Sequence, residues 1–158
     1  MARNKADVYI EQGCKIFISE DPIVIVFMTP LMRRQLDVLD YSSFFIDTSA
    51  SSDQANTALT LILVATKAGA VPVACALHES QSEENYVKIF VMLLELWANS
   101  AIKKIVNFMT DDSHALKNAL HSVFPSVRQL LCHFHLLQAL WRWLSNAKNR
   151  ILLEHQTH

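Results

Sequence analysis

Between Ser43 and Leu77 three apolar runs of strand length follow one another with no helical period between them, and this succession restricts the possible folds more than any other feature. Ser43 to Asp47 (SFFID), Leu59 to Thr66 (LTLILVAT) and Val71 to Leu77 (VPVACAL) are too short for buried helices and read as strands. The last two flank Lys67-Ala68-Gly69-Ala70, a connection with the glycine that a tight turn wants, so they form a hairpin. Beyond it the period changes. Tyr86, Ile89, Phe90, Leu93, Leu94 and Trp97 recur at steps of three and four, which predicts a helix with one buried face, and Ser80 with Glu83 makes a capping-box pair before it.

Lys104 to Met109 (KIVNFM) returns to strand character and runs into Thr110-Asp111-Asp112. Leu116, Ala119, Leu120 and Val123 predict a second amphipathic helix, stopped at Phe124-Pro125. Arg128 to Cys132 is strand-length, and His133 to Ala147 is helical with Leu136, Leu137, Leu140 and Trp143 or Leu144 inward. Upstream, Pro22 to Met28 (PIVIVFM) reads as one buried strand within an N-terminal extension. From Ser43 the order is therefore three strands, then helix, strand, helix, strand, helix. Sequential strands joined by turns favour an antiparallel meander, and strands separated by single helices favour parallel crossovers. The expectation is an α/β fold with a mixed five-stranded sheet flanked by helices, its first and fourth strands side by side at the centre. The ribonuclease H-like fold has this sequence of elements.

Composition narrows the function classes. The 158 residues suit a single domain, and with 51% hydrophobic and 18% charged residues, against about 25% charged in ordinary soluble proteins, disorder is excluded. Two glycines, Gly13 and Gly69, cannot build a phosphate-binding loop or a dinucleotide fingerprint. The charge-free stretch between Asp53 and Lys67 is 13 residues, short of the roughly 18 a membrane-spanning helix needs. Cys14, Cys75 and Cys132 are odd in number and widely spaced, which fits a reducing, intracellular compartment, and a buried Cys75 would be chemically idle.

Asp47 closes the first strand of the meander and Asp111 follows the fourth, so the expected sheet brings the two carboxylates together. Such a pair repels unless a cation or a proton is shared, and Mg²⁺ or Mn²⁺ suits hard oxygen ligands beside a phosphate substrate. The plainer reading is that each aspartate caps a helix or turn, as Asp112 is expected to do.

The stretch from Phe45 through Phe90, then Met109 to Leu144, resembles the transposase domain of Mutator-like elements (MULE) over roughly residues 40 to 145. The matching features are Asp47-Thr48 after an apolar strand, the hairpin leading to Pro72 and Ala74, Glu79 and Glu83 to Tyr86, Thr110-Asp111, Phe124-Pro125, and Cys132-x-x-His135. TPLMRR at Thr29 to Arg34 resembles a segment preceding this domain in animal members. The division implied is an N-terminal extension over 1–39, the transposase domain over 40–147, and a tail over 148–158. The resemblance implies a nuclear, ribonuclease H-like enzyme of the Asp, Asp, Glu type that cleaves and joins DNA at transposon ends, with Asp47 and Asp111 as metal-binding acids. The third acid of the family lies on a helix well beyond the Cys-x-x-His motif. Here the only acid after Asp112 is Glu154, and the chain ends 23 residues past His135, so the expected fold is truncated at its C-terminus and Glu154 is the third acid by default. The alternative is an inactive, exapted DNA-binding or protein-interaction domain; separately, for an active form, an oligomer or partner is expected to supply the missing segment.

Two further features carry expectations. Cys132, His135, His155 and His158 form two close pairs, a spacing a Zn²⁺ site would also show, although the resemblance reads Cys132 and His135 as a family motif that contacts DNA or braces an insertion. Residues 1–112 carry nine basic and fourteen acidic side chains, whereas 113–158 carry Lys117, Arg128, Arg142, Lys148 and Arg150 against Glu154 alone. That basic segment either faces DNA phosphates or is a solvated helical face. Trp143 is expected in the core, and Trp141, two residues away, on another face where a neighbour would cover it.

Overall fold

The computed structural model describes residues 2–38, 42–49, 54–97 and 105–149. In chain order these form α1 (Ala2–Glu11), β1 (Lys15–Glu20), β2 (Ile23–Met28), α2 (Pro30–Val38), β3 (Ser43–Ser49), β4 (Ala58–Thr66), β5 (Gly69–His78), α3 (Glu83–Trp97), β6 (Asn107–Thr110), α4 (His114–Val123), β7 (Arg128–Leu131) and α5 (His133–Ser145), followed by a 3₁₀ turn at Ala147–Asn149. The strands make one mixed sheet in the order β1-β2-β5-β4-β3-β6-β7. The meander β3-β4-β5 is antiparallel, and β6 and β7 run parallel to β3.

The sheet has seven strands where five were expected. The N-terminal segment supplies two strands rather than one, and β2 pairs antiparallel with β5. The physical reason is the open edge of β5: unpaired N–H and C=O groups there are satisfied by adding a strand. Two helices were also missed in this segment. Thr29 Oγ1 accepts from Met32 N–H at 3.2 Å and Pro30 occupies the first helical position, so α2 opens with a side-chain cap followed by a residue of preset φ. At the start of α3 the cap is Ser82 rather than Ser80, since Ser82 Oγ accepts from Asn85 N–H at 3.3 Å. Ser80 Oγ is bound instead by the Asn85 side-chain amide.

One face of the sheet is buried beneath α3 and α4. The stripe Tyr86, Ile89, Phe90, Leu93 and Trp97 meets Phe44 and Ile46 of β3, Ile62 and Val64 of β4 and Phe108 of β6 in a single core, completed by Leu116, Ala119 and Leu120 of α4. Phe108 lies at its centre, with ring centroids 6.0 Å from Phe44, 6.4 Å from Phe90 and 5.1 Å from Phe124. The other face carries Phe45, Asp47, Leu59, Leu61, Leu63 and Met109 at half-buried or exposed positions, because residues alternate across a strand. α1 lies against it at the β1-β2 end, and α5 reaches it at Asp47.

The inward stripe expected for α5 is absent. Among the described residues none of its side chains is buried: Leu136, Leu137, Leu140 and Trp143 are each about half exposed, and Phe134 and Trp141 are 67% exposed. His135, Gln138 and Leu144 are the half-buried positions. The leucines, tryptophans and Phe134 share one broad face of the helix, and it is the opposite, more polar side, with His135, that meets the sheet.

Candidate functional site

The chain runs from β3 outward through β4 to β5 on one side of the sheet, and from β6 to β7 on the other, so the direction of strand order reverses between β3 and β6. In open α/β sheets the crevice at the carboxyl ends of the strands beside such a reversal is where ligands sit. Here the crevice is built by a short pairing. β3 and β6 are partners only at Ser43–Asn107, Phe44–Phe108 and Phe45–Met109, after which the strands part.

Asp47 and Asp111 each lie two residues beyond the last of these partners, Phe45 and Met109. Asp47 is still within β3, on the face away from α3, whereas Asp111 lies one residue past the end of β6, near enough for its charge to act on the Tyr86 phenol of α3. The expected adjacency of the two strand ends is what the register shows. Asp47 is held by β4 alone on its other side, opposite Leu61, and its side chain is 54% exposed. Asp111 Oδ1 accepts the backbone N–H of Ser113 at 3.1 Å, closing a turn that leads into α4. The true cap of α4 is Ser113, whose Oγ accepts from Leu116 N–H at 3.4 Å. Asp112, expected as the cap, is instead a solvent-facing partner of Lys117 at 2.6 Å, and that cation with its hydrogen bond holds the Asp112 carboxyl below its ordinary range.

The Cys-x-x-His motif reaches the site from α5. Cys132 N–H donates to Thr110 O at 2.7 Å, tying the start of α5 to the residue before Asp111. Cys132 occupies the N-cap position without a side-chain cap bond. One turn on, His135 Nε2 lies 3.4 Å from Asp47 Oδ1. Among the described residues no three His, Cys, Asp or Glu side chains gather as a metal-binding group. Glu154, Arg150, His155 and His158 lie outside the described residues, as do the partners of Cys132 and His135 in the Zn²⁺ spacing.

Among the described residues the basic side chains do not converge on the carboxylates. Lys117 is engaged by Asp112. Arg128 begins β7 opposite Asn107, at the end of the sheet away from Asp111. Arg142 and Lys148 are exposed on α5 and the turn after it. No helix among the described residues is long and apolar enough to cross a membrane.

A buried polar ladder beside the site was not anticipated. Thr48, the residue after Asp47, shares its hydroxyl with Thr60 of β4 at 2.8 Å, Thr60 with His78 Nε2 at 2.8 Å, and Tyr86 O–H donates to Thr48 at 3.3 Å. His78 and Thr60 are fully buried. Burial pushes the His78 imidazole below its ordinary value, opposed in part by its bond to Ser80 O, and pushes the Tyr86 phenol up, with the Asp111 charge adding to the rise. The available signal was phase: Thr48 falls in step with Phe44 and Ile46, and Thr60 with Ile62 and Val64, so both threonines had to face the core.

The fold and the site define an α/β domain with a pair of aspartates at the central reversal of a mixed sheet. The family model of the MULE transposase domain matches residues 44–139, more than half of the chain, and the protein belongs to that family. The match starts in β3 and ends within α5, so it spans the meander, both crossovers and the Cys-x-x-His motif. No curated protein matches the sequence.

Proposed function

We propose that this chain carries the catalytic core of a transposon-derived DNA transposase with a ribonuclease H-like fold, acting on DNA phosphodiesters through Asp47 and Asp111. The observation that carries this reading is that each aspartate follows, by two residues, the last paired position of neighbouring parallel strands β3 and β6 in a member of the MULE transposase domain family. The sheet segment β5-β4-β3-β6-β7 has the order and directions of a ribonuclease H-like core, with β1 and β2 added at one edge.

The pair fits a hard divalent cation, Mg²⁺ or Mn²⁺. Asp47 presents a solvent-facing carboxylate, and Asp111 has one oxygen bound to Ser113 N–H, leaving the other for a ligand. When bound, such an ion supplies positive charge to the phosphodiester and lowers the pKa of a coordinated water. The chain's own contribution is placement. The turn at Asp111–Ser113 aims one carboxylate, the β4 pairing holds the other, and His135 sets its imidazole against Asp47. The first turns of α4 and α5 begin at the same end of the sheet, where their unpaired N–H groups favour an anion. Lys117, Arg128, Arg142, Lys148 and Arg150 then neutralise flanking DNA phosphates, and Glu154 is the candidate third acid.

A second reading, a domain that binds DNA or protein without turnover, is favoured by α5. Phe134, Leu137, Leu140 and Trp141 line an open apolar surface there, and patches of this kind mark interaction sites. In that reading an oligomer or partner covers the helix, and Zn²⁺ at Cys132 and His135 would be structural. Purified protein incubated with supercoiled and linear DNA in Mg²⁺ or Mn²⁺ separates the two. Cleavage abolished by both Asp47→Ala and Asp111→Ala establishes the enzyme. Salt-sensitive binding with no cleavage, unchanged by either substitution, establishes the second reading.

A further inference from the structure

The hydrogen-bond ladder from Tyr86 to His78 has a direction, and the direction can be derived. Ser80 O can only accept, so His78 Nδ1, at 2.6 Å, carries the proton. The ring is fully buried and held neutral by that burial, so Nε2 is an acceptor and Thr60 O–H donates to it. Having spent its hydrogen, Thr60 accepts from Thr48 O–H, and Thr48 in turn accepts from Tyr86 O–H. Every hydroxyl in the series is thus oriented one way, from α3 across β3 and β4 to β5, and back to the loop that leads into α3.

The ladder crosses the sheet at Thr48, the residue after Asp47, on the face opposite to the Asp47 side chain. Beyond Phe45, β3 has lost β6 as a partner and is held by β4 alone. Thr48 is where side-chain bonds replace the missing pairing. Because successive residues point to opposite faces, fixing Thr48 toward the core fixes the direction in which Asp47 leaves the strand. We propose that Thr48, held by Tyr86 and by the Thr60–His78 pair, is a positioning residue that sets the Asp47 carboxylate for its cation, an inference resting on the reading of Asp47 and Asp111 as metal ligands.

The test uses the full chain with Thr48→Val, which removes the hydroxyl at nearly constant shape, and Thr48→Ser, which restores it. Nitrogen-15 NMR of the wild type should show His78 as the Nδ1–H tautomer. In Thr48→Val the Asp47 carboxylate carbon resonance should move while the thermal midpoint stays within a few degrees. Affinity for Mn²⁺, followed by electron paramagnetic resonance, should fall about ten-fold, the lower end of the range for removing an outer-shell partner. Thr48→Ser should recover both signals. A folded Thr48→Val protein whose Asp47 resonance and Mn²⁺ affinity equal those of the wild type overturns the proposal, as does the Nε2–H tautomer. If the wild type binds no Mn²⁺ and Asp47→Asn changes nothing, the metal reading fails by itself. The Asp47 resonance in Thr48→Val then still decides whether the ladder positions that carboxylate.

Discussion

Replacing Phe108 probes what holds Asp111 in place. Phe108 is 1% exposed, sits three residues before Asp111, and is packed among Phe44, Phe90 and Phe124. Truncating a buried phenylalanine to alanine costs about 3–5 kcal/mol through lost transfer energy and the cavity left behind. Three ring neighbours place Phe108→Ala at the upper end, about 5 kcal/mol, since each aromatic pair adds roughly 0.5–1.5 kcal/mol beyond area burial. Against a typical domain stability of about 5–15 kcal/mol, that loss is large enough to threaten folding. Phe108→Leu is therefore the informative variant: it keeps most of the volume, gives up the ring contacts, and should lose about 2 kcal/mol. Urea unfolding followed by circular dichroism measures the loss as a lower midpoint at unchanged slope. A Phe108→Leu midpoint equivalent to less than about 0.5 kcal/mol, the scale of a neutral surface change, would refute the placement of β6 beneath α3 and α4.

Three other outcomes follow from the buried groups and caps. Because burial keeps His78 below its ordinary value, the folded chain takes up a proton less readily than the unfolded one. Its contribution to stability is full above the unfolded value of about 6.5 and is lost as pH falls through the lower folded value; urea midpoints should drop on the acid side more in the wild type than in His78→Asn, and parallel curves would contradict this. Burial pushes the Cys75 thiol up to about 11, so a thiol reagent should modify half-buried Cys14 and Cys132 first, and early labelling of Cys75 would mean β5 is misplaced. Ser113→Ala should cost about 1 kcal/mol by removing the α4 cap, with Ser113→Asn recovering most of it; equal stability of all three proteins would show that the cap bond contributes nothing.

The centre of the sheet was legible because its strands are unambiguous in length and in their turn or helix boundaries. The runs at Ser43, Leu59 and Val71 fall within strands, Arg128–Cys132 overruns β7 by one residue, Lys104–Met109 begins three residues before β6, and the ordering of meander and crossovers made β3 and β6 neighbours. Less was readable where a side chain's role depends on distant partners. Lys15–Glu20 is bounded by charges and gains its place from β2, which itself answers the open edge of β5, and from α1 and α3 packed against it. Ser80 and Ser82 offer the same hydroxyl two residues apart, and only the path of the chain decides which of them caps α3. For α5 the pattern misled: leucines and tryptophans along one broad face promised burial, but the side chain that meets the sheet is His135, on the polar side.

That inverted helix couples two surfaces that share no side chain. Thirteen residues without a buried side chain draw little from the core, and helices of this length are marginal in water by themselves. Detaching α5 therefore requires far less free energy than unfolding the sheet, and what leaves with it is the imidazole at Asp47. Asp47, already 54% exposed beside the docked helix, would lose that one neighbour. Any body that binds the outer leucines and tryptophans only when α5 is docked shifts the docking equilibrium by mass action. Binding on the outside of the helix thereby bears on whether the Asp47 carboxylate keeps its imidazole neighbour.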